Sequence, residues 1–370
     1  MNTKKLRDPF PIHRIDHIEF YVGNAKQASA FYRDRFGFLA TQFRGMETGV
    51  RDVATYVLEQ GNIRFLVSAA TVRDHPITAH THKHGDGVAV IALEVPDAEY
   101  AHAFTTSRGA TSVSPMVREE DANGEYRCSA IRGYGDTVIK FVDRSDYSHG
   151  FAPEFEERES IQGKSHQGVG LAAVDHIVGN VELGGMDRWV KFFEETMGFS
   201  LLLHFNDEDI STEYSALMSK VVQDGTGRIK FPINEPAEGR RKSQIQEYLD
   251  YYGGPGVQHI AFATGDIVAT VTELKNRGVE FLRVPSTYYD ELESRVGEIS
   301  EPIGELADLG ILVDRDDEGY LLQLFTKPIE DIPTFFFEVI QRRGSRGFGV
   351  GNFKSLFEAI EKEQALRGNL

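Results

Sequence analysis

The sequence has 370 residues, 41% hydrophobic and 26% charged, which is the composition of a soluble globular protein with more chain than one core usually takes. Its formal net charge of -17 argues against nucleic acid or an anionic membrane as partner, while a local cationic site can still hold a small anion. A single cysteine, Cys128, excludes an internal disulfide and fits a reducing cytosol, so the expected location is cytoplasmic.

No apolar run reaches the length of about 18 residues that a membrane span needs. The opening MNTKKLRDPFPIHRID lacks the apolar segment of a signal peptide. In chain order, RIDHIEFYV reads as a strand carrying His17, and Ala28, Phe31, Tyr32 and Phe36 follow on one helical face before Gly37. The tract HTHKHGDG, His80 to Gly87, looks like a metal tract, but its Gly-Asp-Gly ahead of a strand predicts a solvated turn. A second strand and helix start at Val88. The stretch Arg144 to Gly170 is polar, acidic and without sustained periodicity, which suits an interdomain linker.

After the break the pattern recurs. Asp175-His176-Ile177 repeats Asp16-His17-Ile18 at a distance of 159 (175 − 16). Trp189, Phe192, Phe193, Met197 and Gly198 repeat the first helix and its stop at 161 (189 − 28). Val257 repeats Val88, and Arg277-Gly278 repeats Arg108-Gly109, at 169 (257 − 88). Further strand-like runs follow each helix, among them RIKFPIN, YLLQLFTK and TFFFEVIQ. We therefore expect an α+β fold of four βαβββ modules in two domains, 1–150 and 171–370, joined by 151–170. The C-terminus departs from the repeat. A glycine-rich segment leads into a helix with Phe353, Leu356, Phe357 and Ile360 on one face, either a packed helix or a hinged lid.

The repeat also singles out chemistry. His176 matches His17, but His259 stands where the first half has Val90. Only the second half therefore has a histidine on the leading strand of both modules. Glu338 lies in the apolar run TFFFEVIQR, where a carboxylate is costly to bury unless it is paired or binds a metal. Arg342 and Arg343 are possible ion partners, and a lone strand histidine is more often a hydrogen-bonded core residue. Taken together, two histidines and a carboxylate form the ligand set of the non-haem Fe(II) facial triad, with Zn²⁺ also compatible. No counterpart of Glu338 is evident in the first half, which we expect to be a metal-free scaffold.

The blocks VDHIVGNV, PINEP, KSQIQEYL, GVQHIAF, LLQLFTKP, FFFEVIQR and GFGVGNFKSLFEAIE occur in order. On them the chain resembles the 4-hydroxyphenylpyruvate dioxygenase family of the vicinal oxygen chelate superfamily, along nearly its whole length. The resemblance implies one Fe(II) per chain on His176, His259 and Glu338. It implies a polar pocket of Ser215, Asn234, Gln244, Gln258 and Gln323 and an aromatic wall of Phe325, Phe336, Phe353 and Phe357, with the C-terminal helix as lid. The implied reaction converts 4-hydroxyphenylpyruvate and O₂ to homogentisate and CO₂ in tyrosine and phenylalanine catabolism, by a homodimer or homotetramer. Strand parity independently puts Phe336 with Glu338 and Gln323 with Phe325, but sets Gln258 opposite His259 unless the strand bulges. The same features admit 4-hydroxymandelate synthase, an extradiol catechol dioxygenase, or a non-enzymatic small-molecule binding protein. Asn234 and the phenylalanine-rich wall favour 4-hydroxyphenylpyruvate dioxygenase over the synthase.

Overall fold

The computed structural model of the chain describes residues 8–157, 168–205, 216–237 and 241–369. The first half runs β1 (Arg14–Tyr21), α1 (Ala25–Phe36), β2 (Leu39–Arg44), β3 (Val53–Gln60), β4 (Ile63–Ala70), α2 (Pro76–His84), β5 (Gly87–Glu94), α3 (Ala98–Thr106), β6 (Ser112–Asp121), β7 (Gly124–Arg132) and β8 (Val138–Asp143). The second half opens with β9 (Leu171–Asn180), α4 (Met186–Met197), β10 (Ser200–Phe205), β11 (Ala216–Gln223), β12 (Lys230–Ala237), α5 (Gln244–Tyr252), β13 (Gly256–Thr264) and α6 (Ile267–Asn276). It closes with α7 (Leu292–Val296), α8 (Ile303–Leu309), β14 (Leu312–Arg315), β15 (Tyr320–Phe325), β16 (Phe336–Arg343) and α9 (Val350–Leu366).

Each half forms one curled eight-stranded mixed sheet, in the orders β2-β3-β4-β1-β5-β8-β7-β6 and β10-β11-β12-β9-β13-β16-β15-β14. The two orders are the same permutation, as the repeat requires. Within each module the leading strand pairs in parallel with the last one, β1 with β4 and β5 with β8, then β9 with β12 and β13 with β16. Leading strands join modules antiparallel, β1 to β5 and β9 to β13.

The helices start and stop where the residues dictate. The Asn24 side chain accepts from the Gln27 N–H at the start of α1, and α1 and α4 both end on left-handed glycines, Gly37 (φ 74) and Gly198 (φ 69). The buried stripe of α4 is Met186, Val190, Phe193 and Met197. Trp189 and Phe192, expected on the same face, are partly buried at its edge, where Trp189 meets Tyr134 of the first half edge-on, ring centroids 5.9 Å apart. That same Tyr134 ring explains the glycine in VDHIVGNV: a Cβ on Gly179 would sit 2.5 Å from it.

The two sheets share one core. Phe36 and Phe65 pack against Phe337, at 4.9 and 6.1 Å between centroids, and Phe38 and Phe65 against Phe262. Phe337 and Val339 thus face this core, and Phe336 and Glu338 face the other way into the concavity of the second sheet. Among the described residues, no helix is long and apolar enough to cross a membrane.

Two expectations change. The histidine tract is not a solvated turn. Its histidines belong to α2, and His84 is buried, with Nδ1 on the Tyr252 carbonyl (2.6 Å) and Nε2 on Asp136 (2.9 Å). Pro76 at the helix start and Gly85 at its end make the tract helical, and the Gly-Asp-Gly only terminates it. The polar break is also partly packed structure. Arg144 ion-pairs with Asp16, and Phe151 and Ala152 are buried with Tyr147 and Tyr126. Its remaining stretch, 158–167, lies outside the described residues.

Candidate metal centre

His176, His259 and Glu338 stand on three adjacent strands, β9, β13 and β16. Ala261 of the middle strand lies opposite both His176 and Glu338 in the pairing. One carboxylate oxygen of Glu338 sits 3.2 Å from Nε2 of His176 and 3.4 Å from Nε2 of His259. All three ligand atoms fall within 4.8 Å of one another, and all three residues are buried.

The outer nitrogens set the tautomers. Nδ1 of His176 donates to Asp175 at 2.7 Å, and Nδ1 of His259 donates to the Gln258 side-chain oxygen at 2.9 Å. Each ring thereby turns its Nε2 toward Glu338, the nitrogen that a metal takes in place of a proton. A buried carboxylate between two such nitrogens needs a positive charge beside it, which a proton or a metal ion supplies. Burial opposes charging His176, but Glu338 and Asp175 outweigh it and raise the imidazole above its ordinary value. Burial lowers His259, with Glu338 pulling the other way. Burial would raise Glu338, yet the two imidazoles bring it below the usual carboxylate range.

Gln258 and His259 are neighbours that face the same cavity. The register of β13 against β9 shifts between Val257 and His259, and this bulge supplies the irregularity that strand parity demanded. The triad lines a cavity together with Asn234, Gln244, Gln258, Phe325, Phe336, Phe353 and Phe357. Phe336 stacks on the His259 ring at 4.7 Å and 19°, and Phe325 meets it edge-on at 6.1 Å. The helical face of Phe353, Leu356, Phe357 and Ile360 covers this cavity from α9.

Two expected residues stand apart. Ser215 lies outside the described residues. Gln323 is fully buried beside the cavity rather than on its wall. Neither of its amide atoms has a partner among the described residues, and a Cβ on Gly349 would fall 2.5 Å from its Nε2. Other lining residues were not singled out, notably Ser219, opposite Asn234 in the β11–β12 pairing, and Phe348, edge-on to His176 at 5.0 Å. Phe348 lay in plain sight in the GFGVGNF block. Ser219 stands in the strand-like run SALMSKVV, four residues from Ser215 and so of the same parity.

Paired modules, a shared permutation of strands and a buried His-His-Glu cluster in one concavity define a protein of the vicinal oxygen chelate class. Residues 173–324 match the family model described as "Glyoxalase/Bleomycin resistance protein/Dioxygenase superfamily", and residues 6–154 match "Hydroxyphenylpyruvate dioxygenase, HPPD, N-terminal". The chain is 45% identical to 4-hydroxyphenylpyruvate dioxygenase of Yarrowia lipolytica (96% of this chain, 93% of the relative). It is also 45% identical to that of Dictyostelium discoideum (96% and 99%). It superposes on a triple mutant of 4-hydroxymandelate synthase from Streptomyces coelicolor with a TM-score of 0.85, at 31% identity over 96% of this chain and 99% of the other. The chain belongs to the 4-hydroxyphenylpyruvate dioxygenase family.

Proposed function

We propose that the chain is an Fe(II)-dependent dioxygenase that converts 4-hydroxyphenylpyruvate and O₂ to homogentisate and CO₂. The observation that carries this reading is the convergence of two imidazole Nε2 atoms and a carboxylate at the wall of an aromatic cavity. His176, His259 and Glu338 would hold the metal, leaving positions open as in a facial triad. Iron bound there supplies the electrons for O₂ activation and the positive charge that draws a 2-oxo acid into an otherwise acidic protein.

The chain's own residues bind and orient the substrate. Phe325, Phe336, Phe353 and Phe357 offer ring faces and edges to an aromatic substrate. Asn234, Gln244 and Gln258 offer amide donors and acceptors for its polar ends, and the family resemblance alone adds Ser215 and Gln323 to that polar set. Gln258 has a second part, because it receives the Nδ1 proton of His259 and so keeps Nε2 free. The apolar face of α9 excludes water from the reacting groups.

In this reading the second domain, 171–370, carries catalysis. The first, 1–150, is a metal-free scaffold, supported by Val90 at the place of His259. The protein is a cytoplasmic homodimer or homotetramer. The superposition on 4-hydroxymandelate synthase supports one rival, oxygen delivery to the side chain of the same substrate. Purified protein loaded with Fe(II) under ascorbate, given 4-hydroxyphenylpyruvate and O₂, decides by its product. Homogentisate is expected; hydroxymandelate would move the assignment to the rival.

A further inference from the structure

Arg342, at the end of β16, reaches in two directions. Its Nε and one terminal nitrogen grip both oxygens of Asp175 at 2.7 and 2.8 Å, a bidentate pair. Its other terminal nitrogen donates to the carbonyls of Gly347 (2.6 Å) and Ser345 (3.3 Å). Asp175 is the partner of His176 Nδ1, and Gly347 lies just before Phe348 and the left-handed Gly349 (φ 77) at the start of α9. The guanidinium also lies over the Phe348 ring, 5.5 Å from its centroid, and that ring packs edge-on against His176. One side chain therefore touches both the hydrogen-bond partner of a candidate ligand and the root of the covering helix. Asp316 anchors the same root from outside, accepting from Ser345 Oγ and from the N–H groups of Arg346 and Gly347.

The first half contains the same device without the second function. Arg144 holds both oxygens of Asp16 and donates to the Phe151 carbonyl. Asp16 in turn accepts from Nδ1 of His17 at 2.6 Å, and Phe151 packs edge-on to His17 at 5.1 Å. There the clamp ties β1 to the chain that leaves β8. In the second half the same geometry ties β9 to a cavity cover.

We propose that Arg342 is a positioning residue that couples metal retention at His176 to closure of α9 over the cavity. The proposal rests on the metal reading above. A metal that tightens on His176 holds Asp175, Asp175 holds Arg342, and Arg342 holds the root of the helix. Loosening the root acts on the metal through the same atoms in reverse, as linkage requires.

The test uses the full chain, stripped with chelator and titrated with Co(II) or Fe(II), with hydrogen exchange of residues 345–366 followed with and without metal. In the wild type, metal slows exchange in this segment. Arg342→Gln weakens metal binding by about 10- to 100-fold, as loss of an outer-sphere support does. It also removes the metal-dependent slowing at saturating metal. Arg342→Lys keeps a charge for Asp175 but cannot span both partners, so it keeps metal affinity within a few-fold of wild type and still loses the slowing. Arg144→Gln lowers the melting temperature and leaves both readouts intact. The proposal is overturned if Arg342→Gln keeps wild-type metal affinity, if it keeps the slowing, or if Arg144→Gln reproduces its effects. If the wild type takes up neither metal, the metal reading fails and the coupling falls with it, an outcome distinct from a metal-binding wild type with an unaffected Arg342→Gln.

Discussion

Lys140 occupies on β8 the register position that Glu338 occupies on β16. Lys140 lies opposite Ala92 and Glu338 opposite Ala261, and the two alanines are equivalent in the repeat (261 − 92 = 169). An ammonium thus stands in the first half where the second has a carboxylate. Burial opposes its charge, but Tyr126, Cys128 and Glu19 overcome that and raise its pKa. The neighbouring His17 is fully buried, and its Nε2 has no hydrogen-bond partner among the described residues. The two changes that separate this half from a His-His-Glu set are therefore Val90 and Lys140. We predict that Val90→His with Lys140→Glu raises metal stoichiometry from one per chain to two, the second site weaker. Lys140→Glu alone gives no second metal. Metal analysis after gel filtration checks both.

Glu338 is the residue on which the metal reading turns. Its oxygen faces both Nε2 atoms, and it is 3% exposed, so no water replaces it without rearrangement. Glu338→Gln removes the negative charge while keeping the shape. We expect iron content after desalting to fall by at least tenfold and turnover to fall with it, while the melting temperature of the metal-free protein changes little. Full iron content in this variant would overturn the ligand assignment.

The ligand set was legible because the repeat aligned strands. His176 and His259 stood at equivalent places, and Glu338 was a carboxylate among phenylalanines. Lys140 was hidden because the last strands of the modules do not keep the common offset: Glu338 lies 198 beyond Lys140 (338 − 140), whereas their pairing partners are 169 apart. The shared orientation of Gln258 and His259 depends on a bulge, and a bulge leaves no mark in an alternation pattern. His84 was read as surface because Gly-Asp-Gly signals a turn, and the Tyr252 carbonyl that buries it comes from the other half of the chain. Local grammar placed the elements. A bulge, a changed offset and one contact between halves decided the exceptions.

The far end of α9 is fastened by a second charge contact. Glu247 of α5, 3% exposed, accepts from Arg367 at 2.7 and 3.4 Å and from Asn369 at 2.8 Å. Arg367→Met leaves that carboxylate buried without its cation, which costs about 3 kcal/mol or more when nothing else compensates. Release of the helix end is the cheapest relief. We expect faster proteolysis and hydrogen exchange across 350–366 and a several-fold loss of turnover. Slow exchange equal to wild type would show that the apolar face alone holds the helix.

Glu330 makes stability depend on pH. Burial, then Asp86 and Asp331, push its carboxyl up to about 7 from an ordinary 4.5. The native state therefore binds more protons than the unfolded chain between these values. Its contribution is fullest below about 4.5 and is lost as pH rises through 7. At pH 8 the ionised carboxylate sits beside Asp86 at a destabilisation of about 2 kcal/mol, since the group is mostly but not wholly desolvated. Glu330→Gln removes the charge and keeps the size. In urea denaturation we expect the variant to be more stable than wild type at pH 8 and nearly equal to it at pH 4.5. A gain of the same size at both pH values would mean that packing, not charge, accounts for the effect.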